Sequence, residues 1–210
     1  MYFQWMAKQH TRKLDARAIR NPAHIRLLSS PVRHELADTL ASLGGEATVA
    51  TLAEQLGRPA DGLYYHLQLL ANGGLVHERQ GNNGERIFTL AGGGQAPLRL
   101  SYDLASDDAC QALASYARGL LQVAESDFLA GLKLGSIEVK GRRRRLWAAR
   151  NKGWLSPAEL EEANAILERL CELLSHPRDA SRVMPMSLAF VLAPTAIRQR
   201  RRSSERTDAD

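Results

Sequence analysis

Residues 48 to 90, TVATLAEQLGRPADGLYYHLQLLANGGLVHERQGNNGERIFTL, constrain the fold more than any other stretch. Val49, Leu52, Ala53 and Leu56 recur at helical spacing and predict one apolar stripe. Thr48 is placed to cap that helix, and Gly57 to stop it in the left-handed conformation. Arg58 and Pro59 fall in the turn, with Pro59 suited to the first position of the next helix. There Leu63, Leu67 and Leu70 lie at i, i+4, i+7 and face a core. Asp61, Tyr64, Tyr65 and Gln68 fall on the other face. Asn72, Gly73 and Gly74 end the helix. Leu75 to Gln80 and Arg86 to Leu90 read as hairpin arms around the Asn83-Gly84 turn signal.

Two short helices around a tight turn, followed by a hairpin, make the pattern of a winged helix-turn-helix. The second helix of such a module carries a face that its own core does not need, where a DNA groove can be read. Tyr65 stands opposite the leucine stripe, whereas Tyr64 falls nearer the edge, where core packing and solvent compete for it. His66 borders the apolar stripe and reads as a half-buried packing residue. Gly62, inside the helix, costs on the order of 1 kcal/mol against alanine. Close approach of backbone to DNA and simple drift both remain open as its reason.

The run HIRLLSSPVRHELADTL, residues 24 to 40, resembles the leading helices of the ArsR/SmtB superfamily of bacterial transcription regulators. LYYHLQLLANGGLV, residues 63 to 76, is similar to that superfamily's recognition helix and the start of its wing. The resemblance implies that recognition-helix side chains enter the major groove and that the wing tip touches the flanking backbone. By position the implied DNA contacts are Arg58, Ala60, Asp61, Tyr64, Tyr65, Gln68, Arg79, Asn82, Asn83 and Arg86. Gln68 suits adenine where it reaches a base edge, and tyrosine hydroxyls serve phosphates as readily as bases.

Many members of that superfamily sense metals, and here the chain departs from them. Cys110 and Cys171 are each alone, no His pair has ligand spacing, and the helix from Val49 to Leu56 lacks cysteine, so no metal site is expected. Two lone cysteines fit a reducing cytoplasm better than a disulfide framework. No apolar run is long enough for a membrane span. The opening MYFQW contains YFQ, which resembles a protease-tag scar, and residues 1 to 5 are set aside. A nucleophile elbow, a phosphate loop and paired catalytic carboxylates are all missing from the sequence, so neither catalysis nor a cofactor is expected.

The net charge of +5 is unevenly spread. Residues 1–23 carry +4, residues 24–91 carry −2, and the remainder carries +3. A negative count over the presumed DNA reader runs against the usual electrostatic footprint. Either local placement of its arginines compensates, or the basic N-terminal arm with Lys8, Arg12, Lys13, Arg17 and Arg20 lies along phosphates; a solvated helix face explains that arm equally well.

Beyond a linker over 92–105, Ser106, Asp107 and Asp108 open a helix expected to run to about Leu134. Its wide stripe, from Leu113 through Leu120 and Leu121 to Phe128, reads as part of a dimer interface. Arg142 to Ala149, RRRRLWAA, is expected to be a strand whose arginines blunt a sheet edge or bind nucleic acid. Ser156-Pro157-Ala158-Glu159 is a capping box opening a helix to about Leu174. Pro185 to Ala193, PMSLAFVLA, is expected to be a buried strand that pairs with the first. A subgroup of ArsR-like regulators has a similar tail. The matching pieces are Leu146-Trp147, Leu155 to Leu160 (one residue longer than that pattern) and Leu188 to Pro194. The resemblance implies dimerisation or effector sensing, and Phe128, Trp147, Trp154 and Phe190 are the candidate lining of an apolar effector pocket, with ordinary core the competing reading. Residues 198–210 read as a disordered tail.

The expected fold is therefore mainly α with a small β component: a winged helix-turn-helix over 24–91 and a C-terminal α/β region over 106–197. The expected function is that of a cytoplasmic, homodimeric, sequence-specific regulator of double-stranded DNA, most simply a repressor, with a small-molecule effector in its C-terminal half. A winged-helix module that binds protein or RNA is the alternative.

Overall fold

The computed structural model describes residues 18–92, 100–176 and 178–195. The expected scar, most of the N-terminal arm, the glycine-rich start of the linker and the polar tail lie outside these residues.

Two short helices, α1 (Pro22–Leu27) and α2 (Pro31–Ser42), each begin with proline in the first turn, where its missing N–H costs no hydrogen bond. Next come β1 (Glu46–Thr48), α3 (Val49–Leu56), α4 (Ala60–Asn72) and the hairpin β2 (Val76–Gln80) and β3 (Arg86–Leu90). The Thr48 hydroxyl accepts from the Thr51 N–H at 3.2 Å, and Gly57 takes φ +60, so both ends of α3 form as their residues predict. Pro59 is the cap of α4 rather than its first residue.

The sheet order is β1-β3-β2, with β3 antiparallel to both neighbours. Ala47 sits opposite Phe88 on one side, and Glu78 opposite Phe88 on the other. Phe88 is fully buried and joins Leu36, Leu40, Leu52, Leu63, Leu67 and Leu70 in one core. The leucine stripe of α4 thus serves the core as its spacing requires, and the opposite face is left free.

A long helix, α5 (Asp107–Leu132), is capped by Ser106, whose hydroxyl accepts from the Ala109 N–H at 3.1 Å. Its first half packs on α1 and α2. Buried Ala109, Ala112 and Gly119 keep this contact close. Tyr116 stacks beside His34 of α2, with 5.0 Å between ring centroids and 3.3 Å from hydroxyl to Nε2. Burial raises the Tyr116 pKa, so the phenol stays neutral. The last helix, α6 (Pro157–Leu174), opens with the expected capping box: Ser156 accepts from the Glu159 N–H at 3.3 Å, and Glu159 accepts from the Ser156 N–H at 2.7 Å.

Two expected strands do not form. Arg142 to Ala149 begins in a turn, closed by the Arg145 N–H on the Glu138 carbonyl at 2.7 Å, and continues without strand pairing. Pro185 to Ala193 is also unpaired, and it is not buried: Leu188, Phe190, Val191 and Leu192 are all exposed. Both segments were expected to be strands, the first basic and the second apolar, but a strand needs a neighbour for its backbone N–H and C=O groups. Among the described residues neither segment reaches a sheet edge, so the described C-terminal region is helical and not α/β.

Candidate nucleic-acid interface

The exposed side of α4 faces away from the core, with the β2–β3 wing beside it. Tyr65 is 66% exposed although it is large and aromatic, and no core position needs it. Its ring meets His66 edge-on at 5.3 Å. Asp61 and Gln68 are exposed on the same helix, and Gln68 Nε2 donates to Asn72 Oδ1 at 3.0 Å. Gln68 therefore carries both a donor and an acceptor at the surface, as an adenine edge requires. Asn82 and Asn83 are exposed at the wing tip. The loop closes through the Gly81 N–H on the Glu85 carbonyl at 2.7 Å, with Gly84 at φ +76.

Two members of the expected set sit elsewhere. Ala60 packs against the core. Tyr64 also packs there, and the Arg86 guanidinium lies over its ring, 4.9 Å from the centroid. Tyr64 thus fixes the wing against α4, and its ring is half-buried.

All five basic side chains between residues 24 and 91 are engaged, which accounts for how a net-negative head holds arginines at its surface. Arg58 pairs with Glu35 at 2.7 Å, Arg79 with Glu46 at 3.0 Å, and Arg86 Nη2 with Glu78 at 2.8 Å. Arg26 pairs with Asp108 of α5, and Arg33 donates to the Leu27 carbonyl. The hydrogen bonds from Arg86 hold the Glu78 carboxyl below the usual carboxylate range.

Arg33 is the residue that sequence reading missed. Burial lowers its pKa, and its electrostatic neighbour is Tyr65. Burial and the positive charges of Arg33 and Arg58 push the His66 pKa below its ordinary value. Arg33 and His66 therefore gather beside Tyr65. Arg33 lies on α2, more than two dozen residues before α4, and no local spacing could have signalled this.

Gly62 occupies the exposed face of α4, and a Cβ built there meets nothing within 4 Å. Intramolecular packing therefore does not require glycine. Gly62→Ala is expected to stabilise the fold by about 1 kcal/mol, the usual helix-interior difference, read from urea denaturation. Any loss of DNA binding in that variant would then report on an intermolecular approach, and a loss of stability would refute the open-space reading.

The four candidate pocket aromatics are not buried as the lining of an apolar pocket would be. Trp147, Trp154 and Phe190 are exposed, and Phe128 is half-buried. Among the described residues no group of three or more His, Cys, Asp or Glu side chains is arranged to hold a metal, and no helix is long and apolar enough to cross a membrane.

A family model for a helix-turn-helix domain matches residues 28–79, the span from the end of α1 into β2. With the wing beside it, the folded head is a winged helix-turn-helix. Similar solved structures include the YusO protein of Bacillus subtilis, at 13% identity and TM-score 0.27, covering 81% of this chain and 92% of that one. A MepR-like protein complexed with pseudoligands matches at 12% identity and TM-score 0.29, covering 83% and 94%. A disulfide-formed AbfR matches at 17% identity and TM-score 0.26, covering 81% and 85%. Likenesses this weak say nothing about what this chain binds. No curated protein matches it.

Proposed function

We propose that this chain is a sequence-specific DNA-binding transcription regulator of the ArsR/SmtB kind that lacks metal sensing and acts as a homodimeric repressor. One observation carries the reading: Tyr65 stands exposed on the helix that follows the turn, on the face that also exposes Gln68, where the fold itself has no use for it. Each α4 would enter a major groove, Asn82 and Asn83 would reach the flanking backbone, and the two copies would read half-sites about one helical turn apart. Occupying the operator would block polymerase.

Selection from a randomised duplex pool tests this. The expected product is an inverted repeat, and Tyr65→Ala is expected to weaken binding to it by about tenfold to a hundredfold, the range of one lost base or phosphate contact. A pool with no enriched sequence, and weak binding that is uniformly salt-sensitive, would overturn the operator reading. It would favour the second reading, a winged-helix module for protein or RNA, which the −2 net charge of residues 24–91 supports.

We place effector sensing in the C-terminal region. Phe128, Trp147, Trp154 and Phe190 could form an apolar ligand site only once something further encloses them. A Trp147→Ala, Phe190→Ala variant that stays dimeric and binds its operator normally would argue against any coupling.

A further inference from the structure

We propose that a second copy of this chain covers the outer face of α5, α6 and the unpaired segments that flank α6, in a reciprocal contact that sets the acidic helix of each copy on the basic segment of the other.

The first argument is the geometry of α5. A helix advances about 100° per residue. Ala109, Ala112, Tyr116, Gly119 and Val123 therefore share one face, and that face packs on α1 and α2. Leu121, Phe128, Leu129 and Leu132 share the opposite face. The three leucines are exposed, and Phe128 is half-buried. A helix apolar on two opposite faces needs two partners. The head is one, and the described residues do not supply the other.

The second argument is extent. Among the described residues 23 large hydrophobic side chains are exposed, and 20 of them lie between Leu121 and Leu192. In α6 no residue is buried, although Ile166, Leu170 and Leu174 repeat at helical spacing. The region touches the rest of the chain at few points. The Arg178 N–H donates to the Ser42 carbonyl at 3.2 Å, and Leu146 lies over Gly131. Apolar surface gathered to this degree marks an interface rather than the skin of a monomer, and its span matches the 20 to 30 residues per side that a stable dimer uses.

The third argument identifies the occupant. Residues 140–152 hold seven basic side chains and no acidic one, whereas α6 holds five glutamates and one arginine. Among the described residues no ion pair joins the two, and the ion pair of α6 is internal, Arg169 with Glu172 at 3.0 Å. Complementary surfaces that belong to one chain but do not meet within it are satisfied by a two-fold contact, in which each patch finds its counterpart on the other copy.

The inference rests on the dimeric part of the proposed function and not on DNA. Its test uses full-length chains and exchanges the charges in trans. One variant carries Arg142→Glu and Arg143→Glu, and the other Glu161→Arg and Glu168→Arg. All four residues are exposed, so the head folds without them. Sedimentation velocity is expected to give a wild-type dimer and a dimer weakened about tenfold or more in each variant alone. An equimolar mixture should restore a mixed dimer, because both contacts are then complementary again. A wild-type monomer at about 10 µM, or variants that dimerise like wild type, or a mixture that gives no mixed dimer, would overturn the proposal. Tryptophan emission gives an independent reading. Trp147 and Trp154 are exposed in the single chain, so emission should shift to the blue as concentration rises through the dimer constant. An emission maximum independent of concentration in a dimerising protein would also overturn it. A chain that dimerises this way yet selects no DNA sequence would sink the operator reading alone.

Discussion

Replacing Gly119 by alanine is expected to lower stability by about 1–3 kcal/mol, the usual penalty for overfilling a packed contact. A Cβ at that position would stand 2.1 Å from the Ser29 carbonyl oxygen and 2.9 Å from its carbon. Both atoms are backbone, in the tight connection between α1 and α2. That connection is held by the Ser29 N–H on the Arg26 carbonyl at 3.1 Å and by the Ser29 hydroxyl on the same carbonyl at 2.7 Å. It cannot swing aside as a flexible side chain could. Relief must come from lifting α5, which opens the buried contacts of Ala112 and Tyr116 as well. The same substitution thus has opposite signs at two helical glycines: stabilising at Gly62, where space is open, and destabilising at Gly119, where a carbonyl fills it. Urea denaturation checks this, with a lower midpoint at unchanged slope the expected result. A Gly119→Ala protein as stable as wild type would mean that α5 does not sit this close to the head.

Removing three carboxylates together, Glu35→Gln, Glu46→Gln and Glu78→Gln, is expected to tighten binding to DNA of arbitrary sequence. Each of these glutamates holds one arginine of the candidate interface: Arg58, Arg79 and Arg86. Surface ion pairs contribute only about 0–1 kcal/mol each to stability, and although Glu35 is half-buried, glutamine keeps its shape and a hydrogen-bond acceptor for Arg58, so the triple variant should fold. Three released guanidinium groups would add about three phosphate contacts, steepening the log–log salt dependence by about three units. At a slope change of three, the gain over wild type would shrink roughly sixtyfold between 50 and 200 mM salt. Preference for the selected operator over random duplex should fall, because phosphate contacts carry no sequence information. Unchanged affinity and slope would mean that these arginines do not face the phosphates.

The head was largely legible in the sequence because its signals are local. Thr48, Ser106 and Ser156 each cap the helix that follows, and the leucines of α4 point where their spacing says. What was missed depends on distant partners. The strand β1 has three residues, too few to show alternation, and exists because Ala47 finds Phe88 about forty residues later. Arg33 joins the candidate interface only through the packing of α2 against α4. The two C-terminal strands failed for the converse reason: their residues have strand character, but among the described residues no backbone pairs with them. Within the candidate site, Tyr65 was placed by periodicity alone, whereas Ala60 and Tyr64 turned inward because they sit at the margins of the helix face.

The mounting of the head on α5 also has a mechanical consequence. Twenty-six residues make a rod about 39 Å long. It is fastened to the reading head through Ala112, Tyr116, Gly119 and Val123, and beyond Val123 none of its residues is buried. In the proposed dimer the far end, beyond Val123, is the handle. A rotation of about 5° at the crossing of two such rods moves a point 25 Å away by about 2 Å, enough to put a recognition helix out of step with half-sites one helical turn apart. A molecule lodged among the tryptophans of the tail would need to deform nothing in the head, since a lever gripped at its far end transmits the tilt directly.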